Sequence, residues 1–256
     1  MRTIILIFLS LLLMQCKNEN GQIALFHGKI MHSSFDTIQL KSHNGNHITT
    51  TDKNGNFQFN LNIIDGFYTF SVKDIQVPLF LNPADTLNVT FDLSDFANSV
   101  NFTGKGAGIN KKLISLSNGK PAPGFSYKDN KGKMVSLNDF RGKYIYIDVW
   151  STTCGPCRKG LPKLEELIEN YKNRNIVFLG VSLDSKIEKW QKFVEENNMK
   201  GIQLFAEGWN SQFVKDYAIE SNPRFILIDK NQNIIDICAP RPSENIDNVL
   251  KNLEGI

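Results

Sequence analysis

The chain is poor in the residues that build metal clusters and disulfide scaffolds. Its 256 residues hold only four cysteines, Cys16, Cys154, Cys157 and Cys238, and four histidines, His27, His32, His43 and His47. Four thiols at this spacing do not make the framework of a small disulfide-stapled fold. A structural zinc site needs four ligands, and no second cysteine pair and no histidine lies beyond His47 to complete one around Cys154 and Cys157. No sign of charge dominates: 29 basic and 26 acidic residues leave a net charge of +3, with no basic tract. That balance gives a nucleic acid no footing. No apolar run reaches the about 20 residues that a membrane-spanning helix needs. No cofactor and no metal is expected. What the chain does have is ordinary core material, 41% hydrophobic residues with 18 Phe, enough for one or two domains.

The N-terminus has the shape of a targeting signal. Met1-Arg2 gives a positive start, and Thr3 to Met14 is almost wholly apolar. That length suits the apolar region of a signal peptide. Leu12-Leu13-Met14-Gln15-Cys16 resembles a bacterial lipoprotein signal. The resemblance implies that residues 1–15 are removed and that Cys16 carries the lipid. The alternative is a cysteine that happens to end an apolar run. Residues 16–21, with Lys17-Asn18-Glu19-Asn20-Gly21, then read as a polar tether. Acyl chains would hold it to a membrane through about 0.8 kcal/mol per buried methylene.

Two domains follow. Over 22–102 short alternating runs such as Phe57-Gln58-Phe59-Asn60-Leu61 and Tyr68-Thr69-Phe70-Ser71-Val72 are separated by turn residues, with a strong turn signal at Thr51-Asp52-Lys53-Asn54-Gly55-Asn56-Phe57. This pattern suggests a small all-β, sandwich-like domain, and no catalytic constellation is visible in it. Gly104-Lys105-Gly106-Ala107-Gly108 reads as a flexible joint that runs on through a short helix over 103–118. From 119 to 256 the period changes. Buried strands at 143–150 and 176–181 alternate with helical spacing at Leu161, Leu164 and Ile168 and at Trp190, Phe193 and Val194, which means an α/β layered domain.

The chemistry lies at Cys154-Gly155-Pro156-Cys157. Cys154 follows the strand 143–150 and opens a helix, where unpaired N–H groups and the positive end of the helix dipole favour a thiolate. Such placement can bring a thiol from about 8.5 into the range of roughly 3.5–7.5. Two intervening residues bring both sulfurs to one helix end, and Pro156 suits the first helical turn. Cys154 is then the attacking thiol, and Cys157 resolves the mixed disulfide. A zinc ligand pair or a purely structural disulfide are the competing readings. The latter is weakened because so short a loop constrains little unfolded-chain entropy.

Asp148-Val149-Trp150-Ser151-Thr152-Thr153-Cys154-Gly155-Pro156-Cys157-Arg158 resembles the thioredoxin active-site strand and helix, with Leu161-Pro162 matching its kink proline. Ser221-Asn222-Pro223-Arg224-Phe225 resembles the segment that sets a cis-proline opposite the dithiol. Pro121-Ala122-Pro123-Gly124-Phe125 and Val135 to Lys143 resemble the extracytoplasmic TlpA/ResA-type thiol–disulfide oxidoreductases. Thr51 to Phe59 and Phe102-Thr103-Gly104-Lys105-Gly106 resemble the small β domain fused ahead of thioredoxin-like domains in Bacteroidetes lipoproteins. The resemblance implies an α/β thioredoxin-like C-terminal domain, a central mixed sheet flanked by helices, with a Cys154–Cys157 disulfide as its redox centre. It implies that Asp148 is a buried acid exchanging a proton with Cys157, and that Pro223 is cis and leaves backbone free for an extended substrate strand. Trp150 is expected to shield the site, and Gly155, Pro156, Asn222 and Arg224 to shape it or touch substrate. Thr153 departs from the family, which usually has Trp before the first Cys.

The function so implied is dithiol–disulfide exchange with protein thiols and disulfides in the cell envelope. The lipid-anchored chain would work at the periplasmic face or outer surface and draw electrons from a membrane donor. Gly155-Pro156 is the dipeptide of reducing thioredoxins, so a reductase is expected, and cytochrome c maturation is the family role most often implied. Two alternatives stay open. One is a thiol peroxidase, although Ile147 stands where those enzymes need Pro, with Ser151 as a candidate hydroxyl. The other is a binding lipoprotein with a secondary redox domain. Cys238 reads as a packed thiol or a second redox thiol, and the four histidines as solvated residues or a metal site.

Overall fold

A computed structural model describes residues 23–42, 45–62 and 66–256. The expected signal peptide, the lipidated Cys16, the tether and His43 lie outside the described residues.

The first domain is built from β1 (Ile23–Met31), β2 (Thr37–Ser42), β3 (Gly45–Thr50), β4 (Asn56–Asn62), β5 (Gly66–Val72), β6 (Ile75–Leu81), β7 (Thr86–Asp92), the short α1 (Phe96–Ser99) and β8 (Asn101–Gly104). Two four-stranded sheets, in the orders β4-β1-β7-β8 and β3-β2-β5-β6, enclose one core. Strand alternation puts Phe57, Phe59 and Leu61 of β4 inside and its Asn and Gln residues outside. Phe26 from the first sheet meets Phe70 from the second at 5.7 Å, edge to face. Such pairs contribute about 0.5–1.5 kcal/mol beyond their burial. At the turn before β4 the Asp52 carboxylate accepts the N–H groups of Asn54 and Asn56, each at 2.8 Å. Gly55 takes φ 81°, and a Cβ there would collide with the Ile30 carbonyl. The small sandwich follows from this alternation and turn chemistry.

The expected flexible joint is instead part of the folded frame. Residues Asn101–Gly104 pair antiparallel with β7, and α2 (Ala107–Ser115) begins after two intervening residues. Gly104 and Gly106 have φ 91° and 85°, so the glycines serve left-handed corners rather than looseness. Asn110, fully buried on α2, clamps β6: its Oδ1 accepts the Phe80 N–H at 2.8 Å and its Nδ2 donates to the Phe80 carbonyl at 2.9 Å.

The second domain opens with the hairpin β9 (Ser126–Lys128) and β10 (Met134–Ser136). It continues through β11 (Tyr144–Trp150), α3 (Gly155–Asn170), β12 (Ile176–Ser182), α4 (Ile187–Glu196), β13 (Ile202–Phe205), α5 (Gln212–Asp216), β14 (Arg224–Ile228), β15 (Ile234–Asp236) and α6 (Ile246–Lys251). The sheet order is β13-β12-β11-β14-β15. The first three strands are parallel, and β14 and β15 join antiparallel. This is the thioredoxin-like fold with its mixed sheet between helices. Every residue of β11 is buried, as expected of a central strand covered on both faces. One face packs Tyr144, Tyr146, Phe225 and Leu227 on Leu164 and Leu167 of α3. The other joins Ile145, Ile147, Val149 and Ile226 to Phe213 and Tyr217. That core extends without a break to Phe80, Leu113 and Leu116 of the first domain and α2.

Candidate active site

The central strand delivers the site. Residues of β11 alternate between its two faces, so Asp148 and Trp150 lie on the face of Tyr144 and Tyr146, under α3. Trp150 is fully buried in a cluster with Cys154, Cys157, Trp190 and Val194. Its ring lies 5.5 Å from Phe193. Parallel β11 and β12 end together at this rim, where α3 starts.

Cys154 is the N-cap of α3. It joins Cys157 in a disulfide with Cα atoms 5.3 Å apart, and Cys154 Sγ accepts the Cys157 N–H at 3.1 Å. Gly155 and Pro156 occupy the first helical turn, where the proline forfeits no helical hydrogen bond. In the disulfide form both cysteines are nearly covered, 8% and 5% exposed. A thiolate on Cys154 in the reduced state would keep that N–H and the dipole of a 16-residue helix.

Asp148 is 4% exposed, and its Oδ1 has no hydrogen-bond partner. Burial alone, with no cation against it, pushes its carboxyl from 3.8 up to about 7. A carboxyl at that value can both take and return a proton at neutral pH.

The loop between strand and helix is held from two sides. Asp184, just past β12, accepts the Thr152 N–H at 2.9 Å and the Thr152 hydroxyl at 2.7 Å, while Ser182 Oγ donates to the same carboxylate at 2.8 Å. On the other side Asn222 Nδ2 donates to Ser151 Oγ at 3.1 Å, and the Asn222–Pro223 peptide is cis. Asp184 was missed by sequence reasoning. Its only signal was an acid two residues after Ser182, at the carboxyl end of a buried strand, where open α/β sheets place their sites.

Arg224 is corrected as a substrate-touching residue. It pairs with Val149 across β11 and β14, which puts its side chain on the face opposite the dithiol. It is 4% exposed and hydrogen-bonds inward to the Ile237 and Ala218 carbonyls. Cys238 sits, partly buried, at this same corner, away from the dithiol cluster. Its Sγ accepts from Arg224 Nη1 at 3.0 Å, and burial pushes its thiol up to about 12. Such a thiol is inert toward exchange at neutral pH. His27 and His47 stand on strands of different sheets, and His32 bonds Asp92 at 2.8 Å. Among the described residues no three potential ligands gather for a metal, and no helix is long and apolar enough to cross a membrane.

Comparison with known proteins adds to this geometry. Residues 118–237 match the AhpC/TSA family. The chain is 30% identical over 147 residues to the thiol-disulfide oxidoreductase ResA of Bacillus cereus, covering 57% of this chain and 84% of that protein. It is 29% identical over 136 residues to the thioredoxin-like protein YneN of Bacillus subtilis, covering 50% and 74%. A crystal structure of a candidate thiol-disulfide oxidoreductase from Bacteroides vulgatus superposes with a TM-score of 0.50 at 40% identity, over 54% of this chain and 96% of that one.

Proposed function

Because the chain belongs to the thioredoxin-like thiol–disulfide oxidoreductases of the TlpA/ResA type, we propose that it works outside the cytoplasm as a reductase of protein disulfides, held to the envelope through a lipid on Cys16. One observation carries the reading: Cys154 caps α3 and accepts the Cys157 N–H, while a buried acid, Asp148, lies on the same face of the sheet.

The steps follow from these groups. The Cys154 thiolate attacks one sulfur of a substrate disulfide, and the other substrate sulfur leaves as a thiolate that takes a proton from solvent. Asp148 accepts the proton of Cys157. The Cys157 thiolate then attacks Cys154 Sγ, Cys154–Cys157 closes as a disulfide, and the second substrate sulfur leaves as a thiolate that takes a proton from solvent, while Asp148 keeps the Cys157 proton and returns it when the dithiol re-forms. A donor of two electrons, expected in the membrane, reopens it. The Asn222–Ser151 bond keeps the cis-proline segment beside the dithiol loop, where backbone next to Pro223 can pair with an extended substrate. The reducing direction rests on Gly155-Pro156. Service to haem-attachment cysteines, as in cytochrome c maturation, is one use of such a reductase.

The test traps the substrate. A Cys157→Ala variant expressed in cells should accumulate mixed disulfides through Cys154 with envelope proteins. Purified wild type should reduce insulin with dithiothreitol as donor. Peroxide consumption at a faster rate than insulin reduction would move the chain to the peroxidase reading. A Cys16→Ser variant that stays on the membrane would remove the anchor.

A further inference from the structure

The residue that follows Pro223 ties the redox site to the N-terminal domain. The Arg224 guanidinium carbon lies 3.3 Å from the centroid of the Phe67 ring, which belongs to β5 of the sandwich. Phe67 in turn packs on Phe80 with ring centroids 4.5 Å apart. Phe80 is the strand residue clamped by Asn110. The hydrogen bonds of Arg224 go to two carbonyls and the Cys238 thiol rather than to a carboxylate. Burial of this cation is offset by backbone dipoles, by the nearby Asp236 and Glu220 carboxylates, and by an aromatic face, which attracts a guanidinium most strongly where water is excluded.

The consequence reaches the dithiol. Arg224 is the first residue of β14 and pairs with Val149, one residue before Trp150. Two positions earlier, Asn222 donates to Ser151 in the loop that leads to Cys154. Three consecutive residues thus link the dithiol loop to the sandwich. Asn222 bonds the dithiol loop, Pro223 follows through a cis peptide, and Arg224 is stacked on a ring from the sandwich. The corner is built with a planar cation stacked on a planar ring, so its direction is defined in a way that aliphatic packing would not define it.

We propose that Phe67 is a positioning residue for disulfide exchange: through its stack on Arg224 the N-terminal domain holds the 222–224 segment against the dithiol loop and so fixes the edge along which protein substrates bind. This gives the sandwich a part in recognition although it carries no catalytic group. The inference rests on the assignment of protein substrates above.

The experiment compares the full-length wild type with Phe67→Leu, which keeps apolar volume but loses the ring face, with Phe67→Tyr, which keeps the ring, and with Arg224→Lys, which loses the planar fork. Turnover is measured on insulin and on a small aromatic disulfide, 5,5′-dithiobis(2-nitrobenzoate), and backbone hydrogen exchange is followed for 149–154 and 219–225. Phe67→Leu and Arg224→Lys should raise KM for insulin by about 3–10-fold with kcat within about twofold, a fraction of what a desolvated cation–π contact can supply. Both should speed exchange in the two segments and leave the small disulfide unaffected. Phe67→Tyr should behave as wild type. Wild-type values of KM and unchanged exchange in Phe67→Leu would overturn the proposal. A wild type that turns over the small disulfide but not insulin would remove the protein-substrate assignment, and the exchange arm would then decide the stack by itself.

Discussion

Replacing Asp148 by Asn separates the thermodynamic cost of the buried acid from its use. The carboxyl is 4% exposed, with one oxygen unpaired, and is raised from 3.8 to about 7. Below the unfolded value both states carry the proton, and burial costs nothing through ionisation. Between the two values the unfolded chain ionises while the folded chain keeps its proton, so stability falls as pH rises. Above the folded value the full cost is present. Asn does not titrate and escapes it. From the two pKa values, the stability of Asp148→Asn relative to wild type should rise by about 3 kcal/mol between pH of about 5 and about 8. Any fixed cost of a less well paired amide shifts both ends equally and drops out of that difference. Trp150, Trp190 and Trp209 are the only tryptophans, and all lie in the redox domain, so fluorescence-detected urea unfolding reports from that domain. Insulin turnover should fall about 10²-fold at neutral pH, the lower end of acid–base contributions, with mixed disulfides accumulating and the Cys154 alkylation rate kept within a few-fold. A stability difference that stays flat from pH 5 to 8 would refute the assignment of a buried, unpaired acid. Wild-type turnover would make Asp148 a structural residue only, with Cys157 giving its proton to solvent.

In the reduced protein Cys154 should alkylate with iodoacetamide far faster than Cys157 at neutral pH, because only its sulfur caps α3; labelling of Cys157 first would reverse their roles, and Cys154→Ser should abolish insulin reduction. Cys238→Ala should leave turnover nearly intact, since its thiol is pushed up to about 12 and sits in the other cluster; a large loss of turnover would restore it as a redox partner. Asp184→Ala removes the acceptor of Thr152 and Ser182 and should destabilise the redox domain by about 2–4 kcal/mol, read by urea unfolding of the oxidised form. A loss under about 0.5 kcal/mol would mean that the loop finds other partners.

Much of the site is written locally, and this is why it is legible in the sequence. A strand with all seven residues buried, then a cysteine, then Gly-Pro-Cys opening a helix, places both sulfurs within one helical turn whatever surrounds them. The strand parity that sets Asp148 on the dithiol face is also local, as are the alternation of β4 and the turn at Gly55. Resemblance to a known family supplied the cis-proline segment and the roles around it.

Contacts between segments far apart in the chain were decided only by the tertiary structure. Nothing in Ser182-Leu183-Asp184 announces that its carboxylate will accept from Thr152, because that bond requires β11 and β12 to run parallel and end at one rim. A glycine-rich stretch reads as a loose joint, but pairing with β7 and packing of α2 turned its glycines into corners. Arg224, next to the cis-proline in sequence, was turned inward by strand parity, and a ring from the other domain covered it. Composition and periodicity state what each segment prefers for itself. Which buried polar group meets which partner depends on the register and order of strands, and those are settled by the joint packing of both faces of the sheet.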